Sequence, residues 1–136
     1  MGVFEDENEV DAYLGGIFRL AMAKDDLALK AVNSGVVARI HYTDPTAVLT
    51  VDMPNKTVEL GTASSARPNV ELYMTADTGN KFWLGKVNLA SAMARGTVRA
   101  KGPVSKLLKL IPLARQIFPE YEKMLTERGR TDLIKA

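Results

Sequence analysis

The sequence predicts an α+β domain over residues 1–136. It would be built on a five-stranded, mostly antiparallel mixed sheet with one face covered by helices. Three observations carry this reading. Period-two alternation recurs through the middle of the chain, an apolar helical stripe runs near each end, and two short helical pieces separate the last two strands.

The first helix rests on Val10, Tyr13, Leu14, Ile17, Phe18 and Ala21, which recur at helical spacing. Asn8 is the expected N-cap, and Glu7, Glu9 and Asp11 suit the positive end of the helix dipole. Gly15-Gly16 inside this helix costs about 1 kcal/mol per glycine relative to alanine. Either another backbone packs close there or the helix is locally loose. A second helix is expected over residues 27–32, capped by Asp25 or Asp26.

Asn33-Ser34-Gly35 then turns the chain. Val36, Ala38, Ile40 and Tyr42 alternate with Val37, Arg39, His41 and Thr43. After Asp44-Pro45, Ala47, Leu49, Val51 and Met53 alternate with Val48, Thr50 and Asp52. Pro54-Asn55-Lys56 turns again, and Val58 and Leu60 alternate with Thr57 and Glu59. Three strands with short turns make an antiparallel meander with one apolar face. Residues 62–69 read as a Ser/Ala/Pro loop.

A fourth strand places Val70, Leu72, Met74 and Ala76 on one face, with Glu71, Tyr73 and Thr75 on the other. Asp77-Thr78-Gly79 leads into an apolar helical piece with the only tryptophan, Trp83, and Asp77 is read as a helix cap. Gly85-Lys86 breaks that piece. A small helix follows over residues 88–95, and Gly96 returns the chain to a strand over 97–101. Because two helices join them, the strands at Val70 and Thr97 are expected to run parallel. After Gly102 the pattern is helical again, through Leu107, Leu110 or Ile111, Ala114, Ile117 or Phe118, Tyr121, and Met124 or Leu125. Pro103 suits a first helical turn, whereas Pro112 and Pro119 cannot continue a straight helix, so two or three short segments are expected, with Gly129 as the stop.

Composition excludes several kinds of chemistry. With no cysteine there is no disulfide, thiolate zinc site or cysteine nucleophile. His41 is the only histidine, so no histidine-rich metal cluster can form, and it falls on the outward sheet face. No Gly-x-Ser-x-Gly, Gly-x-Gly-x-x-Gly or phosphate loop occurs. The N-terminus has no basic leader followed by an apolar run, which with the missing cysteines points to the cytoplasm. Residues 1–80 carry six Lys/Arg against twelve Asp/Glu, whereas residues 81–136 carry twelve against four. The basic half could meet an anionic membrane transiently. Without a stacking platform or recognition motif, nucleic acid is not an expected partner.

The order strand, two short helices about Gly85-Lys86, Gly96, strand, Gly102, apolar helix resembles the sterol carrier protein 2 family. The resemblance runs from Gly35 to the C-terminus as an order of elements. It is sharpest at Leu84-Gly85-Lys86 and at Ala94-Arg95-Gly96-Thr97-Val98-Arg99-Ala100-Lys101-Gly102. The chain differs from the family at Pro103, often a polar residue there, and in carrying Pro112 and Pro119. It ends Leu133-Ile134-Lys135-Ala136 where peroxisomal members carry a Ser-Lys-Leu type address, so no peroxisomal address is expected.

The resemblance implies a carrier with neither a catalytic centre nor a cofactor. A sterol or fatty-acyl lipid would lie in a hydrophobic cavity between sheet and helices. Its lining would be Phe82, Trp83, Leu84, Val87, Leu89 and Met93 from the crossover, and Leu107, Leu108, Ile111, Leu113, Ile117 and Phe118 from the C-terminal helices. Helices broken at Gly85, Gly96, Pro112 and Pro119 roof a sheet imperfectly, and long flexible side chains, six methionines among them, leave room for a tunnel. Such a tunnel fills by hydrophobic transfer, about 25 cal/mol per Å² removed from water. Lys86, Arg99 and Lys101, or the 62–69 loop, would meet a head group or membrane at the mouth. Two other functions stand beside this one. One is an interaction or oligomerisation module, a homodimer included, that assists a partner enzyme. The other is a small-pocket enzyme on a hydrophobic substrate, with Asp52, Glu59, Glu71 or Asp77 as base.

Overall fold

The structure, a computed structural model, describes residues 2–62 and 66–136. The helical N-terminal arm comprises α1 (Glu7–Val10), a π-helical turn (Asp11–Gly15), α2 (Gly16–Met22) and α3 (Asp25–Ser34). Three strands follow: β1 (Val37–Thr43), β2 (Ala47–Asp52) and β3 (Thr57–Leu60). After β4 (Val70–Thr75) come α4 (Ala76–Trp83), α5 (Leu89–Ala94) and β5 (Arg99–Lys101). The chain ends in α6 (Val104–Leu108), α7 (Ile111–Arg115), α8 (Phe118–Glu127) and α9 (Thr131–Lys135).

The five strands form one mixed sheet in the order β3-β2-β1-β4-β5. Neighbours pair antiparallel except β1 and β4, which run parallel with Ile40 opposite Leu72. The expectation that β4 and β5 run parallel is therefore corrected. One crossover helix returns a chain to the start of the strand it left. Two successive helices, α4 and α5, deliver it to the end where β4 finished, so β5 pairs antiparallel, with Ala100 opposite Leu72. β5 is also shorter than expected. The amides of Thr97 and Val98 both donate to the Ala92 carbonyl and close the end of α5.

The pleat separates two faces. Ala38, Ile40, Tyr42, Leu49, Val51, Val70 and Leu72 are buried beneath the helices. Arg39, His41, Glu71, Tyr73, Arg99 and Lys101 occupy the alternate positions. That outer face is partly covered near β2, where Arg39 donates to Thr50 Oγ1 at 3.1 Å and to the Ala66 carbonyl at 3.0 Å. Residues 63–65 of the expected 62–69 loop lie outside the described residues.

Local chemistry corrects three helix starts. Asp6, not Asn8, caps α1, accepting from the Glu9 amide at 3.0 Å. Lys24 precedes α3, so Asp25 and Asp26 sit in its first turn, not at its cap. Thr75, not Asp77, caps α4, accepting from the Thr78 amide at 3.1 Å, while Asp77 Oδ1 accepts from the Val3 amide at 2.9 Å. At Gly15 the atoms nearest to an added Cβ are side-chain atoms of Asp11 and Arg19. A Cβ there would stand 2.6 Å from Asp11 Oδ1, an oxygen that pairs with Arg19 at 2.6 Å. The glycine leaves room for a pair whose arginine also reaches the Val58 carbonyl at 3.0 Å and ties the helix to the sheet edge. α9 was not anticipated. It packs back through Leu133, which is fully buried.

Candidate functional site

Between the sheet and the helices lies a cavity of about 130 Å³. Ile40, Tyr42, Val51, Leu72 and Met74 form its floor, with Met53 just past β2. Phe18, Ala21, Met22, Leu27 and Ala31 from α2 and α3 wall one side. Gly79, Phe82 and Trp83 from α4 and Leu89 from α5 roof another. Leu107, Leu110, Ile111, Leu113, Ala114 and Ile117 close it from the C-terminal helices. No charged side chain is among these described residues.

The gap follows from helix geometry. Pro112 and Pro119 stand in the first turns of α7 and α8, where the missing N–H costs nothing, so each helix starts afresh at its proline. α6 and α7 each span five residues, too short to lie across the sheet as one rod. Gly79 lets α4 approach the sheet: a Cβ there would stand 2.9 Å from Tyr42 Cε1 and 3.1 Å from Leu14 Cδ1. An aromatic group fixes the rest of the roof. Trp83 meets Phe18 and Phe82 edge-on at 5.2 Å, and Phe82 meets Phe118 at 5.5 Å.

Of the side chains expected from the sequence, Phe82, Trp83, Leu89, Leu107, Ile111, Leu113 and Ile117 line this cavity. Val87, Leu108 and Phe118 line a neighbouring cleft of about 560 Å³, which shares Phe82, Leu89 and Ile111 with the cavity. Met93 lies in a third depression, beside Tyr73, Arg99 and Lys101. Leu84 lines none of the three and packs against the core. The sequence reading left out the α2–α3 wall and the three methionines, Met22, Met53 and Met74. Their signal was available: each stands at or just past the end of an amphipathic element, on its apolar side.

The expected polar residues are dispersed. Arg99 and Lys101 lie over the Tyr73 ring, 5.5 and 5.4 Å from its centroid, on the sheet face away from the cavity. Lys86 borders the cleft, but its ammonium donates to the carbonyls of Ile134 at 2.6 Å and Ala136 at 3.1 Å. Asp52 accepts from the Asn55 amide and side chain and closes the β2–β3 turn. Glu71 lies 3.0 Å from His41 Nε2, with the imidazole stacked on Tyr73 at 4.6 Å, while Glu59 is exposed on β3. None of the four candidate carboxylates lines the cavity, and among the described residues no three His, Cys, Asp or Glu side chains gather as metal ligands. Burial pushes the phenols of Tyr42 and Tyr121 above their ordinary range, so both stay protonated at neutral pH. No helix among the described residues is long and apolar enough to cross a membrane.

A family model described as the SCP-2 sterol transfer family matches residues 17–115. A search of curated protein sequences gives no significant match. Among solved structures, the chain is similar to the sterol carrier protein domain 2 of Helicoverpa armigera. Identity is 15%, 81% of this chain and 88% of that one are covered, and the TM-score is 0.65. It is also similar to apo sterol carrier protein 2 from Yarrowia lipolytica at 18% identity, with 85% and 96% covered and a TM-score of 0.61. A third likeness is to a structure titled UbiJ-SCP2 Ubiquinone synthesis protein, at 13% identity, with 84% and 95% covered and a TM-score of 0.60.

Proposed function

We propose that this chain, which belongs to the SCP-2 sterol transfer family, binds and transfers an apolar lipid of the sterol or fatty-acyl type without catalysing a reaction. The observation that carries the reading is an uncharged cavity walled by apolar side chains from both ends of the chain. At about 130 Å³ it matches a cavity that holds a single benzene-sized molecule, on the order of 150 Å³. A whole lipid therefore needs the cavity to widen. The neighbouring cleft supplies the volume, because the side chains of Phe82, Leu89 and Ile111 are common to both spaces. Rotation of three side chains on short helices costs less than opening a strand ladder, and Met22, Met53 and Met74 can follow the ligand's outline. Each Å² of apolar surface removed from water then contributes about 25 cal/mol, so a ligand needs no ionic anchor.

The cleft is bordered by Lys86 and Arg115 from the basic half of the chain. Lys106, Lys109 and Arg115 are exposed and form no ion pair among the described residues, which suits contact with an anionic membrane while lipid is exchanged. The setting we propose is the cytoplasm. The experiment is a displacement titration with a fluorescent fatty acid and a fluorescent sterol, paired with mass spectrometry of lipid extracted from the folded protein. One-to-one saturable displacement supports the carrier. A protein that binds neither probe and carries no lipid contradicts it.

A second reading, a module that assists a partner enzyme, has one observation in its favour. Leu29 on α3 is 62% exposed, the only large hydrophobic side chain so exposed among the described residues. Sedimentation with and without lipid separates the two: an oligomer indifferent to lipid favours assembly.

A further inference from the structure

We propose that the cavity is built for a neutral lipid carrying a hydrogen-bond-accepting oxygen, a carbonyl, ether or hydroxyl, which Tyr42 and Trp83 meet from inside the apolar chamber. This rests on the carrier reading and adds the ligand's polar chemistry to it. Among the described lining residues only these two carry a side-chain oxygen or nitrogen. Their side chains are 3% and 4% exposed. Neither the Tyr42 hydroxyl nor the Trp83 indole N–H has a hydrogen-bond partner among the described residues. Neither atom is sealed off from open space either, since among the described residues no fully enclosed side-chain nitrogen or oxygen lacks a partner. Buried polar groups are nearly always paired, so two unpartnered donors on residues that line one apolar chamber mark places an acceptor can fill.

The same lining argues against an ionised head group inside. Among the described residues no lysine, arginine or histidine borders the chamber, and an unpaired carboxylate buried there would carry a large desolvation cost. The Tyr121 hydroxyl donates to Asn80 Oδ1 at 2.6 Å and forms no hydrogen bond with Tyr42. A fatty acid would have to leave its carboxylate outside, whereas a ketone or alcohol can be swallowed whole.

Calorimetric titration with three matched probes tests this: n-butylbenzene, 4-phenylbutan-2-one and 4-phenylbutanoate. Each is measured on the wild type, Tyr42→Phe and Trp83→Phe, with circular dichroism to verify folding. The preference for the ketone over n-butylbenzene should fall about threefold to tenfold in Tyr42→Phe, the worth of one net hydrogen bond. n-Butylbenzene, which lacks the oxygen, is the reference in each protein, so a change of chamber shape cancels in the ratio. Trp83→Phe also changes the chamber's shape, so it is read only through the ratio of the two neutral probes. The inference is overturned if both variants leave that ratio unchanged, or if 4-phenylbutanoate binds the wild type more tightly than the ketone at pH 8. Failure of n-butylbenzene to bind the wild type would overturn the carrier reading, and this one with it.

Discussion

The Tyr121 hydroxyl donates to Asn80 Oδ1 across 2.6 Å, and neither side chain reaches solvent. The Asn80 amide donates onward to the Leu133 carbonyl at 2.9 Å. One asparagine thus joins α4 to α8 and α9 and holds the roof against the C-terminal helices. Asn80→Ala strands a buried hydroxyl and a carbonyl, each costing about 1–3 kcal/mol. Urea denaturation should register a loss of about 2–6 kcal/mol. A loss below about 0.5 kcal/mol would mean that water replaces the amide.

Alkaline pH should destabilise the protein earlier than an exposed phenol would. Burial raises Tyr42 and Tyr121 above the ordinary value near 10, so the unfolded chain ionises first. Their contribution is complete below about pH 10 and declines as pH rises, by up to about 1.4 kcal/mol per pH unit for each tyrosine. Tyr121→Phe should flatten the decline by one tyrosine's share. Denaturation midpoints from pH 8 to 11 check this, and a wild-type profile flat to pH 11 would contradict it.

Filling the cavity should separate binding from folding. Ala114 lines the chamber, and Ala114→Phe inserts a ring comparable to its volume of about 130 Å³. Lipid affinity should fall at least about tenfold, while stability stays within about 1–3 kcal/mol of wild type, the range for overpacking. Unaltered affinity in a folded variant would place the ligand elsewhere.

Replacing Lys106, Lys109 and Arg115 together by glutamine should weaken binding to vesicles rich in phosphatidylserine. At about 1 kcal/mol per basic side chain, the expected loss is roughly a hundredfold. Raising salt should weaken the wild type in the same direction. Vesicle co-sedimentation measures both, and indifference to charge and salt would remove these residues from any membrane contact.

Much of the scaffold was legible because periodicity survives burial. Ala38, Ile40 and Tyr42 alternate so regularly that one face could only be core. The stripe through Leu107, Ile117 and Tyr121 marked the C-terminal roof, and Pro112 and Pro119 marked its breaks. Strand partners were harder, because alternation says which face a residue takes and not which neighbour its backbone meets. That is why the parallel pair was sought at β4 and β5 and found at β1 and β4. Caps were misassigned where acidic residues crowd together, as at Asp6 and Asn8. The helical side of the chamber was implied by the family resemblance, because the pattern alone marks Phe82, Trp83 and Ile111 as apolar and does not separate core packing from a cavity wall. Its methionine corner was not, because Met22, Met53 and Met74 converge only once sheet and arm meet in space.

The most direct measurement is the fluorescent sterol and fatty-acid titration carried out in parallel on wild type and Ala114→Phe. A single saturable site in the wild type, greatly weakened in the variant, is the predicted result. Equal signals from both proteins, or no saturation in either, would mean that the space between sheet and helices never admits a lipid.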